Sequence, residues 1–170
     1  MSSAVLDNLD SIATFAAGCF AGTAFYVTTG EVPAMHMLGL DEHWRFFPHM
    51  YKRAAASQGL FSVVAGVAGI AHGTRIIGST YYRNLWIISG STFLGIVAYT
   101  LIGIAPTNKT IINDNKHITA GNQSPINATT RKELLDKWAV LHLVRTVSSV
   151  AGFGAMIYGL SRHTSLVLGW

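Results

Sequence analysis

Residues 11–30, 54–72, 85–105 and 138–160 form four apolar runs. Each is about as long as the ~20 residues a helix needs to cross the hydrocarbon core of a bilayer. The first three contain no charged residue, and the fourth contains only His142 and Arg145 as ionisable groups. A soluble helix of this length would carry a polar stripe along its outer side. In lipid the backbone must satisfy its own hydrogen bonds, so such runs have to be helices. The expected fold is therefore all-α: a four-helix transmembrane bundle forming one membrane domain over residues 1–170.

Composition agrees. Half of the residues are hydrophobic and only 12% are charged, about half the usual share for a soluble domain. The net charge of +4 does not indicate nucleic acid as a partner. Arg45, Lys52, Arg53, Lys109, Lys116, Arg131, Lys132 and Lys137 all fall in the loops 31–53 and 106–137. Positive charge of this kind sets orientation, so both long loops are expected in the cytosol or matrix and both termini away from it. Against this, Asn108, Asn122 and Asn127 fit the N-glycosylation pattern. Cys19 is the single cysteine, which excludes an internal disulfide.

Between spans one and two, residues 41–53 mix Trp44, Phe46, Phe47 and Tyr51 with charges. That pattern predicts an interfacial amphipathic helix running into the second span. Gly30 with Pro33 is expected to interrupt the end of the first span, and Pro106 to end the third. Residues 107–130 read as a flexible loop, with Thr129 or Thr130 capping the next helix. Gly18-x-x-x-Gly22 and Gly69-x-x-x-Gly73 are small-residue packing signals, and no internal repeat is apparent.

Trp138, His142 and Arg145 are spaced i, i+4, i+7, which places them on one helical stripe. An ionisable residue in a span faces the bundle interior or a wet cavity almost without exception. Glu31 is the expected partner of Arg145, because it adjoins a span without lying among other charges. Tyr26, Tyr51 and Asn108 are expected to join them at the same end of the bundle. Glu31, His36 and His142 make a two-His, one-carboxylate set, but the spacing has no motif character and no metal is expected.

These residues also carry a resemblance. Glu31, Pro33 and Ala34; Tyr51, Lys52, Arg53, Ala54, Ala55 and Gln58; Pro106, Thr107 and Asn108; and Trp138, His142 and Arg145 occur in this order. Together they resemble the anthrone oxygenase-like family of small four-span membrane proteins, over nearly the whole chain. Many relatives carry Arg where this chain has His36. The resemblance implies a monooxygenase that turns a flat phenolic ketone into a quinone with molecular oxygen and no cofactor. His142 would be the base, Arg145 would hold the oxyanion, and Glu31 would orient the one or neutralise the other. Trp138, Tyr26, Tyr51, Asn108 and His36 would contact the substrate, a hydrophobic aromatic small molecule. The competing expectation is a non-catalytic membrane subunit or assembly protein, surrounded by membrane lipid and joined to a partner or a second copy through its small-residue faces.

Overall fold

The computed structural model describes the backbone of residues 3–168 and the side chains of residues 5–162. Four continuous helices in it are long and apolar enough to cross a membrane: Leu9–Leu38, Leu40–Arg75, Thr80–Thr119 and Ala128–Arg162. The chain is a multi-pass integral membrane protein, and no strand occurs among the described residues.

The first span is built from α2 (Leu9–Tyr26), a π-helical turn π1 (Val27–Glu31) and α3 (Val32–Leu38), after a short lead-in α1 (Ser3–Asp7). The second is α4 (Leu40–Arg75). The third joins α5 (Thr80–Tyr99), a second π-helical turn π2 (Thr100–Ile104) and α6 (Ala105–Thr119), and the fourth is α7 (Ala128–Leu168). Gly39 alone joins α3 to α4, at φ 109°, a backbone conformation that favours glycine because it has no Cβ. α2 and α5 each pack on both α4 and α7, so the spans form a closed ring in chain order.

Several local expectations change, though the amphipathic helix between spans one and two is as expected: it opens α4 and runs through Pro48 into the second span without a break. Trp44 and Phe47 within it are fully buried. Neither Pro33 nor Pro106 ends a helix. Each stands in the first turn of an α-helix that follows a π turn, so its missing N–H falls where the backbone bonding passes from the π to the α pattern. Only residues 120–127 of the expected loop are non-helical. α6 is ordered because its polar residues have partners: Asn115 donates to the Trp44 carbonyl, and buried Asp114 accepts from Trp44 Nε1 at 2.9 Å. The cap of α7 is Asn127, whose Oδ1 accepts from the Thr130 N–H at 2.9 Å. Asn108 is buried inside α6, a position where a glycan has no room, whereas Asn122 is exposed.

The chain also repeats itself. Phe20, Gly22, Tyr26, Gly30 and Pro33 recur at one constant separation as Phe93, Gly95, Tyr99, Gly103 and Pro106, and the π turns occupy the same place in each copy. The second glycine of each copy lies under the preceding tyrosine ring. A Cβ at Gly30 would stand 3.0 Å from Tyr26, and one at Gly103 would stand 3.4 Å from Tyr99.

Candidate functional site

Two apolar clusters fill the bundle. One centres on Phe20, Trp86, Phe93 and Met156, the other on Trp44, Phe47, Ile111 and Trp138. Between them the helices do not close. Phe20, Val27, Gln58, Trp138, His142 and Arg145 are among the residues lining a cavity of about 180 Å³.

The cavity brings together five of the eight expected residues: Tyr51, Asn108, Trp138, His142 and Arg145. Trp138 is buried. Its ring lies 5.0 Å from His142 and edge-on to Phe47 at 5.2 Å, and Phe47 stacks on Tyr51 in turn. Of these rings Tyr51, Trp138 and His142 line the cavity, and Phe47 does not.

Tyr26, Glu31 and His36 do not line the cavity. Tyr26 is 64% exposed. His36 is exposed, with its ring against His43 at 5.1 Å, and Glu31 is half-buried. The expected Glu31–Arg145 ion pair is not formed; Arg145 Nη2 donates to Gln58 Oε1. Helix register explains the difference. α2 and α7 run antiparallel, and Thr28 and Ala24 meet His142 and Thr146. Glu31 therefore sits six residues beyond the level of Arg145, towards Trp138.

The polar groups of the site come from four spans. His142 Nδ1 is 3.0 Å from Thr28 Oγ1, which is 2.8 Å from Thr146 Oγ1, and Thr146 donates to the Ala24 carbonyl at 3.1 Å. The Arg145 guanidinium lies 5.2 Å over the Phe20 ring, a favourable cation–π position. No carboxylate forms an ion pair with it among the described residues. Three buried polar atoms on residues that line the cavity have no hydrogen-bond partner: the donors Arg145 Nε and Gln58 Nε2, and the acceptor Asn108 Oδ1. Buried polar atoms are paired in the large majority of cases, so three orphans on residues lining one cavity set its polar side apart from the rest of the bundle.

Sequence reasoning missed Thr28, Thr146 and Phe20. It noted Gln58 without giving it a role. Thr28 and Thr146 are ordinary residues for a span, and only the register of α2 against α7 makes them neighbours of His142. No group of three or more His, Cys, Asp or Glu is placed to hold a metal among the described residues.

A family model described as anthrone oxygenase matches residues 47–155. No curated protein and no solved structure matches the chain.

Proposed function

The chain belongs to the anthrone oxygenase family, and from that premise we propose that its cavity oxidises a flat phenolic ketone of the anthrone type to the quinone, with molecular oxygen as the oxidant. The observation that carries this reading is the buried Arg145 cation, which has the Gln58 amide and the Phe20 ring face for neighbours and no carboxylate in an ion pair with it among the described residues. A cation in a span costs several kcal/mol unless something answers it. An enolate oxygen, accepting from Arg145 Nε and Gln58 Nε2, answers both the charge and the orphan donors. A phenol O–H on the same ring system supplies the donor that Asn108 Oδ1 lacks.

An anthrone loses a proton from its methylene to give an electron-rich enolate. His142 is the group that takes it. When Nδ1–H donates to Thr28, Thr28 to Thr146 and Thr146 to the Ala24 carbonyl, each hydroxyl both donates and accepts. In that tautomer Nε2 holds a free lone pair for the cavity. The enolate carbon then forms a bond to oxygen, and with the proton returned by His142 the product is a hydroperoxide. Loss of the second C–H proton with cleavage of the O–O bond expels water and leaves the quinone carbonyl. The methylene gives up four electrons and one O₂ takes them. Donors already aimed at the developing oxyanion need no rearrangement during the reaction, which is why such groups contribute strongly to rate.

The subunit reading draws less support, because most of the small-residue surface is used inside the chain. A Cβ at Gly18 would meet Phe153 at 3.0 Å, one at Gly69 would meet Met156 at 2.8 Å, and one at Gly73 would meet Ile87 at 2.8 Å. Of the two expected motifs, only Gly22 has open space beside it.

Anaerobic titration with an anthrone tests the reading before any turnover. Binding is expected to shift the ligand spectrum to that of the enolate. A bound ligand that keeps the neutral-ketone spectrum, or no binding at all, contradicts it.

A further inference from the structure

The internal repeat extends to the second helix of each half. Tyr51, Gln58 and Ser62 on α4 recur at a constant separation as Trp138, Arg145 and Ser149 on α7. The contacts follow the repeat. Phe20 meets its counterpart Phe93 edge-on at 5.8 Å, and Gln58 meets its counterpart Arg145. The two halves thus face one another across the cavity, and each seam between neighbouring helices has an equivalent on the other side.

One such pair of seams differs sharply in chemistry. Between α2 and α7, Ala24, Thr28, His142 and Thr146 close the wall with a chain of hydrogen bonds. Their counterparts between α5 with π2 and α4 are Val97, Leu101, Ala55 and Gly59. These four carry no polar side chain to bridge the seam, and all line the cavity. Ala55, Gly59 and Leu101 are exposed, and a Cβ at Gly59 would meet nothing within 4 Å. Ala55 and Gly59 lie in the apolar run 54–72 and Leu101 in the run 85–105, so the surroundings of this opening are acyl chains rather than water. Directly behind it is Gln58, which is 95% buried and has an unpartnered Nε2.

We infer that this seam is a lateral mouth through which the ketone substrate passes from the bilayer into the cavity, with Gly59 and Ala55 setting the size of molecule admitted. The inference rests on the function proposed above for the substrate it names. A flat, weakly polar ring system concentrates in lipid, and it slides edge-on between two helices whose facing residues are short. Hydrogen-bonding groups on the substrate exchange the bilayer for Gln58, Arg145 and Asn108 without crossing water.

Two measurements in proteoliposomes test this. In the first, a bimane is attached at position 59 of a Gly59→Cys, Cys19→Ser protein, Cys19 being the free cysteine of the chain. Lipids brominated near the top of the acyl chain are expected to quench it several-fold more than aqueous iodide; dominant quenching by iodide overturns the lateral mouth. In the second, Gly59→Phe is expected to lower kcat/KM for an anthrone by about tenfold or more, in line with the discrimination apolar pockets achieve. A Gly59→Phe protein that works at the wild-type rate also overturns it. Should wild-type protein oxidise no anthrone, the functional reading falls, and the quenching result still decides the mouth.

Discussion

Arg145 on α7 and Gln58 on α4 meet across the ring of spans, guanidinium to amide oxygen, at equivalent places in the two halves of the repeat. A neutral amide holds the cation without cancelling its charge, so the site keeps an attraction for an anion. The pair should be energetically coupled. Gln58→Leu alone strips the buried cation of its acceptor, and hydrogen bonds to charged groups are worth about 1.5–3 kcal/mol. Gln58→Leu with Arg145→Met replaces both by apolar groups and is expected to be more stable than Gln58→Leu alone. Thermal midpoints of the four proteins measure this. Additive single effects would show that the two side chains are not partners. Glu31→Gln is expected to show no coupling to Arg145→Met.

A second buried network locks α6 and should respond differently. Asp114 accepts from Trp44 Nε1 at 2.9 Å and stands 3.5 Å from Arg131 Nη2, with its side chain 1% exposed. Asp41 meets the same arginine at 3.1 Å but is 69% exposed. Removing one partner of a buried pair costs about 3–5 kcal/mol, while an exposed pair is worth about 0–1 kcal/mol. Arg131→Met is therefore expected to destabilise strongly and Asp41→Asn barely, read as loss of folded protein on heating in detergent. Equal effects would contradict the network.

Glycines in the spans separate into two kinds. A Cβ at Gly90 would lie 2.7 Å from the Gly66 carbonyl and 2.8 Å from the Ile70 nitrogen, both backbone atoms that cannot move aside. One at Gly95 meets nothing within 4 Å. Gly90→Ala should cost about 1–3 kcal/mol through overpacking. Gly95→Ala should be neutral or stabilising by up to about 1 kcal/mol, the propensity difference between the two residues in a helix. The order of the two midpoints checks this, and its reversal would contradict the packing of α4 on α5.

How much of this was legible in the sequence follows from where the information lies. Span length and lack of charge gave the four helices, and the i, i+4, i+7 spacing of Trp138, His142 and Arg145 gave one wall of the site. The partner of Arg145 was not legible. Glu31 was chosen for its charge, but helix register decides contact, and register depends on packing. Within a span, hydrophobicity does not distinguish inside from outside, because lipid is as apolar as the core. Phe20, which lies under the cation, and Phe15, which is 70% exposed, are therefore alike to a reader of the sequence. The continuation past Pro106 was hidden for another reason: the π turn before it places the proline at a change of helix type, which hydropathy does not show. The repeated Phe, Gly, Tyr, Gly and Pro positions were the one sequence signal that would have revealed both π turns together.

His142 separates catalysis from structure. A base acting in the slow step is worth about 10²–10⁴-fold, so His142→Gln is expected to lower anthrone turnover by about that factor. Gln retains a polar group near the Thr28 hydroxyl, so the thermal midpoint is expected to change little. A stable His142→Gln protein working at the wild-type rate removes His142 as the base.

Oxygen uptake tests the central claim most directly. Purified protein in liposomes, given a simple anthrone, is expected to consume one O₂ for each quinone formed, at a rate well above that of protein-free liposomes. Arg145→Met should bring the rate down towards that background. Uptake no faster than the protein-free control, from wild-type protein shown to be folded, would contradict the account.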